Sequence, residues 1–338
     1  MRTFSPKYRI SDSLLAMIAD AETLNAYIRS SKVGVSWLEA IRLDVLIRRA
    51  HFSTAIEGNP LTLPEVKALA EGRRINAPQE AKREVLNYFA ALGWIEKQEN
   101  AAITEKRLLK LHQLLTQGIL PKSDSGAYKK RRNVIMGAGR IIYTPPDPAE
   151  AKPLTKALLD WLEQEGKRAH PIISQAIAHY EIARIHPFID GNGRCARCLA
   201  VWALYRRKFD TEHIFAIDQF YKEDHQGYHE ALGLIRKEGG DLTSWLEYCA
   251  LAAKTTLERT RKRLEELSLP KTAGRLELTR QQERLLLALK ASDGLSAEEM
   301  QKNLSVKKAR LYRIIKPLSD KGIIRSTKNR PVIYRIKS

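Results

Sequence analysis

One segment, His186-Pro187-Phe188-Ile189-Asp190-Gly191-Asn192-Gly193-Arg194-Cys195-Ala196-Arg197, restricts the fold of this chain more than any other. An apolar helix over Ile172–Ile185 ends at a histidine, because the residue before a proline is biased out of the helical region. A short loop follows with one carboxylate, two glycines and an asparagine. A second apolar helix, Cys195–Arg206, then begins with arginines around its first turn. Glycines let backbone N–H groups approach an anion, and a helix N-terminus adds a favourable dipole. Arg194 and Arg197 lie three apart, so they share a helix face and can grip neighbouring phosphates. Asp190 is placed to hold a divalent cation that bridges phosphate oxygens. His186 titrates near neutrality and can accept a proton. These residue types suit nucleotidyl or phosphoryl transfer. A helix stop followed by an ordinary glycine turn is the plainer reading of the same residues.

The rest of the chain reads as mostly helical. Helical spacing of apolar residues predicts helices over 11–30, Trp37–Ile56, Pro78–Gln98, Thr104–Gln117, Leu154–Gly166, near Lys222–Lys237, and Leu242–Leu267. Gly58-Asn59-Pro60 stops the second of these. Thr62 and Pro64 then open a further helix as cap and first-turn proline. The pattern breaks at 133–144, where Asn133–Met136 and Ile141–Thr144 read as two short strands about Gly137-Ala138-Gly139-Arg140. Pro270–Gly274 reads as a linker. The domain division expected is 1–104, 105–268 and 269–338.

The 338 residues carry 58 Lys and Arg against 39 Asp and Glu, a net charge of +19. Residues 271–338 hold 17 of the former and 6 of the latter, so a fifth of the chain carries +11 of that excess. A basic field this concentrated favours polyanions, most often nucleic acid. The same segment predicts helices at Thr279–Leu289, Ser296–Asn303 and Ser305–Lys316, then strands at Ile323-Ile324 and Val332–Ile336. This order resembles a winged helix-turn-helix. Its second paired helix offers Lys307, Lys308, Arg310 and Arg313 to DNA, and its wing offers Lys328 and Arg330 to phosphate. A wing module used for protein contact is the alternative.

Composition removes several classes. The apolar fraction of 43% and charged fraction of 29% exclude a wholly disordered chain and a collagen-like fibre. No uncharged apolar run approaches the roughly 20 residues that cross a bilayer, and the N-terminus does not read as a signal peptide. Three cysteines make no disulfide scaffold and fit a reducing cytosol, so a cytoplasmic location without membrane contact is expected. Cys195 and Cys198, within an apolar helix and without a second cysteine pair, read as small core residues. His179 reads as a core histidine.

The 186–197 segment resembles the signature of the Fic (filamentation induced by cAMP) family, H-P-F-x-D/E-G-N-G-R-x-x-R, and meets every fixed position. The resemblance extends over roughly residues 40–250. Gly126-x-Tyr128 and the 133–144 hairpin look like the family's flap, which docks target backbone as an added strand. Trp161-Leu162 and Trp245-Leu246 also look familiar. The resemblance implies a mainly α fold with a Fic-type helical core and a β-hairpin flap, followed by the small winged helix-turn-helix domain. It implies a protein adenylyltransferase that moves AMP from ATP to a Ser, Thr or Tyr hydroxyl of a target protein or of itself. His186 would be the base and Asp190 the Mg2+ ligand. Gly191, Asn192 and Gly193 would form the anion hole, with Arg194 at the β-phosphate region and Arg197 at the γ-phosphate. The family's kinase-like branch has lysine where this chain has Gly193, which places AMP transfer ahead of phosphate transfer.

Ser53-Thr54-Ala55-Ile56-Glu57-Gly58 resembles the family's inhibitory motif, S/T-x-x-x-E-G/N. Ser53 and Glu57, four apart on one helix face, would hold Arg197 away from the γ-phosphate. Two further readings stay open: a DNA-binding regulator whose Fic core mainly modifies itself, and a site that removes AMP. Tyr221 and Tyr228 loosely match the family's adenine pocket, and Tyr128 and Tyr143 are candidates for self-modification. Family members are often dimers, and a half-site DNA reader also favours a homodimer. Nothing in the sequence identifies the target protein.

Overall fold

The computed structural model describes residues 4–31, 35–137, 139–267, 279–290, 292, 294–327 and 332–336. The expected linker at Pro270–Gly274, Ala138 of the hairpin turn, and the wing residues Lys328 and Arg330 lie outside the described residues.

Five helices open the chain: α1 (Asp12–Ser30), α2 (Val35–Ile56), α3 (Leu63–Ala70), α4 (Gln79–Lys97) and α5 (Glu105–Thr116). A hairpin of β1 (Ile135–Gly137) and β2 (Arg140–Tyr143) follows, then α6 (Pro148–Glu163), α7 (Pro171–Ile185), α8 (Asn192–Arg206), α9 (Ile217–Glu223), α10 (His225–Lys237) and α11 (Thr243–Leu267). The C-terminal part runs α12 (Arg280–Lys290), β3 (Leu295–Ser296), α13 (Ala297–Leu304), α14 (Lys308–Asp320), β4 (Ile324–Ser326) and β5 (Ile333–Ile336). Two compact units result: Met1–Ala26 with Asp44–Thr260, and Tyr27–Leu43 with Arg261–Ser338. No helix among the described residues is long and apolar enough to cross a membrane.

The first unit is built on α7 and α8. A helix that is apolar on every side must be buried on every side, and both are. Along α7 nearly every residue from Ile172 to Ile182 is buried, and in α8 every residue from Arg194 to Tyr205 is. Cys195 and Cys198 are fully buried and free, as small packing residues are. Trp202 and Trp245 are fully buried and use their indole N–H groups on the carbonyls of Gln98 and Ala176 at 3.1 and 2.7 Å. Helix α2 is anchored to this core by Arg49, which is buried and donates to the Phe215 carbonyl at 2.6 Å, to the Tyr205 hydroxyl and to Asp210.

Several expected boundaries move, for local reasons. Helix α6 begins at Pro148, because proline suits a first helical turn where no donor is needed. The run near 222–237 is two helices, broken at Asp224. The flap ladder pairs Ile135 with Tyr143 and Gly137 with Arg140, with an irregularity between Ile135 and Met136. Gly139 takes φ 74° in its turn, where a side chain would be strained.

In the second unit, α12, α13 and α14 pack on a sheet of order β3-β5-β4. The strand β3 was not evident in sequence because two residues carry no periodicity. Leu285, Leu286, Met300, Leu304, Leu311, Ile315 and Leu318 form its core. Ser296 caps α13 in a capping box with Glu299. The turn to α14 passes through Ser305 in the left-handed region at φ 52°. This is a winged helix-turn-helix. Helix α14 starts at Lys308 rather than Ser305 and continues through Pro317 to Asp320.

Candidate active site

The site forms where α7 ends and α8 begins. His186 caps α7 in the left-handed region, φ 50° and ψ 56°. This conformation is uncommon for a residue with a side chain, and it turns the chain sharply into the loop. The His186 backbone N–H still donates to Ile182 at 3.0 Å. Its Nδ1 lies 3.3 Å from the Ala183 carbonyl. A carbonyl can only accept, so Nδ1 carries the proton and Nε2 of the neutral ring keeps a lone pair. Burial holds the His186 pKa below the usual histidine range, against the pull of the Ala183 hydrogen bond, with the Lys129 charge acting with burial. At pH 7 the ring is therefore a competent base.

The loop is held from both sides. Asn192 accepts from the Phe188 N–H and donates to the Phe188 carbonyl, both at 2.9 Å, stapling the loop across its neck. Asn133 donates to the same carbonyl at 2.9 Å, and Lys129 N–H donates to Pro187 at 2.9 Å, which joins the flap's root to the loop. From α5, His112 stacks on Phe188 with ring centroids 3.8 Å apart. Its Nδ1 accepts from Gly126 N–H at 3.0 Å, so its Nε2–H donates to the Asp190 carbonyl at 2.9 Å. Burial drives the His112 pKa down to about 4, which keeps this relay neutral. Nothing in the sequence marked His112. Gly191 sits at φ 77°, and a Cβ there would touch Thr116 at 3.0 Å.

The two arginines differ in their partners. Arg197 is 2% exposed. Its Nε donates to Ser53 Oγ at 2.7 Å, and its NH2 donates to the Ser53 carbonyl at 2.9 Å and to Glu57 Oε1 at 2.7 Å. Asp218 approaches Nε at 3.7 Å, and Tyr88 donates to Asp218 at 3.5 Å. Burial would push the Glu57 carboxyl up, but the Arg197 charge and hydrogen bond, helped by Arg194 and His229, hold it below the usual carboxylate range. Arg194 is 5% exposed and pairs with Glu84 of α4 and, at 3.5 Å, with Asp190. A Cβ on Gly193 would overlap Glu57 Oε1 and lie 3.2 Å from Arg197 NH1. Any side chain at 193 would therefore displace the carboxylate.

The structure thus gathers Ser53, Glu57, His186, Asp190, Gly191, Asn192, Gly193, Arg194 and Arg197 in one place. It adds His112, Glu84, Tyr88 and Asp218, which sequence reasoning missed. The Asn192 side chain is engaged with Phe188, so its first role here is to shape the loop. Tyr221 and Tyr228 are buried in an aromatic cluster with His179 and Trp245. His179 lies 2.8 Å from the Tyr228 hydroxyl, and burial lowers its pKa to about 3. It is a core histidine. The Tyr143 hydroxyl donates to the Arg184 carbonyl at 3.0 Å, and Arg236 lies 4.5 Å over its ring. The Tyr128 hydroxyl is buried, and Tyr143 is half-buried.

In the other unit, Lys307, Lys308, Arg310 and Arg313 are all exposed, at or just after the start of α14. Leu311, Ile314, Ile315 and Leu318 face the core. Arg310 donates to Gln281 at 3.3 Å.

A left-handed histidine at a helix end, a glycine loop, and two buried arginines on the next helix meet at this one site. Comparison with known proteins gives the class a name: residues 102–204 match the Fic/DOC family. Residues 273–338 match the sugar-specific transcriptional regulator TrmB model. The chain is 27% identical over 246 residues to the protein adenylyltransferase Fic of Drosophila willistoni, covering 71% of this chain and 47% of that protein. With the Drosophila mojavensis protein of the same name it shares 28% over 228 residues, covering 66% and 43%. The chain therefore spans about half the length of the curated relatives it matches. A Fic family protein from Desulfovibrio desulfuricans G20 superposes with a TM-score of 0.74 at 24% identity, covering 99% of both chains. Fic-1 (residues 134–508) from C. elegans superposes at 0.64 and 24% identity, covering 75% of this chain and 74% of that one.

Proposed function

We propose that this protein is an adenylyltransferase that transfers AMP from ATP to a hydroxyl of a target protein, and that Glu57 restrains it. The observation that carries this reading is the grouping of a neutral His186, its Nε2 lone pair unspent, with Arg194 and Arg197 around one glycine loop. The relatives named protein adenylyltransferase support it. The target hydroxyl gives its proton to His186 Nε2. Its oxygen forms a bond to the α-phosphorus as the bond to the bridging oxygen breaks. Pyrophosphate leaves, and AMP remains on the target. The amides of 191–193 and the guanidinium of Arg194 balance the charge on the phosphates, with Arg197 for the γ-phosphate. These groups act chiefly by positioning and by fixed charge.

A Mg2+ ion fits the residues present. Asp190 is a single carboxylate, 61% exposed at the loop, and among the described residues no three metal-binding side chains gather. Mg2+ commonly takes one or two carboxylates and fills its sphere with phosphate oxygens and water. Asp190 would hold it, and the ion would neutralise charge on the α- and β-phosphates.

Glu57 occupies the Arg197 edge that the γ-phosphate needs, and Ser53 takes the rest of that guanidinium. ATP then binds with its γ-phosphate displaced. In this reading residues 1–104 carry the restraint, 105–268 the transfer core, and 269–338 a DNA-facing module. The support for DNA is specific. Basic residues at a helix N-terminus oppose its dipole, yet α14 has no acidic residue in its first turn, has Lys307 as its N-cap, and carries Lys308 and Arg310 in that turn. Their placement costs helix stability and fits a phosphate backbone. A homodimer would suit such a reader.

The test incubates the full chain, Glu57→Gly and His186→Ala with α-labelled ATP and candidate proteins. The expected result is label on protein, increased in Glu57→Gly and reduced about 10²–10⁴-fold in His186→Ala. Equal labelling by all three would refute the reading.

A further inference from the structure

Arg194 meets two carboxylates of different character. Asp190 is 61% exposed and lies 3.5 Å from NH2, a loose contact that ends if Asp190 turns to a metal ion. Glu84 is 17% exposed and pairs with NH1. Its other oxygen, Oε2, accepts from Asn59 Nδ2 at 2.7 Å. Asn59 is itself fixed: Nδ2 also donates to the Ala81 carbonyl at 3.0 Å, Oδ1 accepts from Leu61 N–H at 3.1 Å, and its backbone N–H donates to Thr54 at 3.1 Å. Among the described residues Arg194 Nε and NH1 are both buried without a hydrogen-bond partner, so Glu84 meets NH1 as an ion pair. A buried guanidinium donor without an acceptor is costly unless a ligand supplies one.

We propose that Glu84 is a positioning residue that holds Arg194 by NH1 and leaves NH2 and Nε for the β-phosphate of the nucleotide, a role that rests on the reading of the loop given above. Glu84 lies outside the 102–204 segment that matches the Fic/DOC family. It sits mid-helix in α4 with no motif around it. The carboxylate is rigid because Asn59, two residues after Glu57, grips its far oxygen. A guanidinium fixed at one end presents its remaining donors in a set direction, so less freedom is lost when phosphate arrives. The polar chain Asn59–Glu84–Arg194 also runs from the end of the inhibitory helix to the loop, parallel to the direct Glu57–Arg197 contact.

Affinities of the full chain for ADP and AMP, measured by calorimetry, separate this role from a structural one. The unsubstituted chain is expected to prefer ADP. Glu84→Gln, which presents an amide to Arg194, is expected to weaken ADP about tenfold and leave AMP within twofold. Glu84→Asp, which keeps the charge, is expected to fall between and serves if Glu84→Gln does not fold. In an Arg194→Ala background, Glu84→Gln is expected to change ADP affinity no further. Unchanged ADP affinity, or equal weakening of ADP and AMP, overturns the proposal. If the unsubstituted chain itself binds ADP no better than AMP, the assignment of Arg194 to the β-phosphate fails, and this inference fails with it.

Discussion

Two sets of cations in this molecule, each at the start of a helix, are handled in opposite ways. Arg194 and Arg197 open α8 and are 5% and 2% exposed, each matched to a carboxylate from a distant helix. Lys307, Lys308, Arg310 and Arg313 open α14 and lie in solvent. A buried guanidinium has lost its water, so its hydrogen bonds are directional and losing one partner is felt strongly. An exposed cation keeps its water and contributes a field that salt screens over roughly 10 Å. The first arrangement selects the geometry of one small anion and can be blocked by one carboxylate. An arrangement of the second kind favours long polyanions in general and would not be blocked that way.

The largest effect that tests this contrast is on the buried side. Glu57→Gly frees the Arg197 edge, and a hydrogen bond to a charged group contributes about 1.5–3 kcal/mol. AMP transfer should rise by about 10–100-fold, measured as initial rate of label incorporation. Lys308→Ala should leave that rate unchanged, and a change in it would break the division between the two sites.

Acid should expose the buried set next. His112 and His179 are fully buried, with pKa values lowered to about 4 and about 3. Unfolded, both would titrate near 6.5. Below that value the unfolded chain binds more protons, so stability falls as pH falls, and it keeps falling until each folded pKa is reached. Each contributes about 1.4 kcal/mol per pH unit in that window. Melting temperatures recorded from pH 7 to pH 5 should drop accordingly; a flat profile would place these rings in water. Glu57 acts in the same direction but in a lower window: its folded pKa is depressed, so its pair with Arg197 survives until pH passes below the usual carboxylate range. Mild acid should therefore not release the restraint, and transfer should not rise at pH 5.

The smallest effect belongs to the exposed set. If α14 lies on DNA, log affinity falls linearly with log salt, and each phosphate contact contributes about 0.9 to the slope. Removing Lys307 or Arg313 should reduce the slope by about that much. Replacing Arg194 should leave it alone. A salt-independent affinity would count against the exposed set as a phosphate reader.

Much of this was legible in the chain. The helices α1, α2, α4, α5, α7 and α11 fall within a few residues of their expected ends, because apolar spacing and stop residues are local signals. The 186–197 motif carried the loop, and its resemblance to a family carried the pairing of Glu57 with Arg197, residues 140 apart in sequence. Spacing alone could put Ser53 above Glu57 on a helix, but not set that helix against α8.

What the sequence by itself determined is therefore the local chemistry: a helix that stops at His186, a glycine loop, two arginines on one face, and a basic helix in a C-terminal wing fold. What only the tertiary structure decided is which groups answer those charges. His112 fixing the loop, Glu84 holding Arg194, and Asp218 beneath Arg197 come from helices far apart in the chain. No period or motif encodes such meetings. They arise because burying α7 and α8 on every side brings other helices against them, and a buried charge or donor must then find its partner among whatever those helices present.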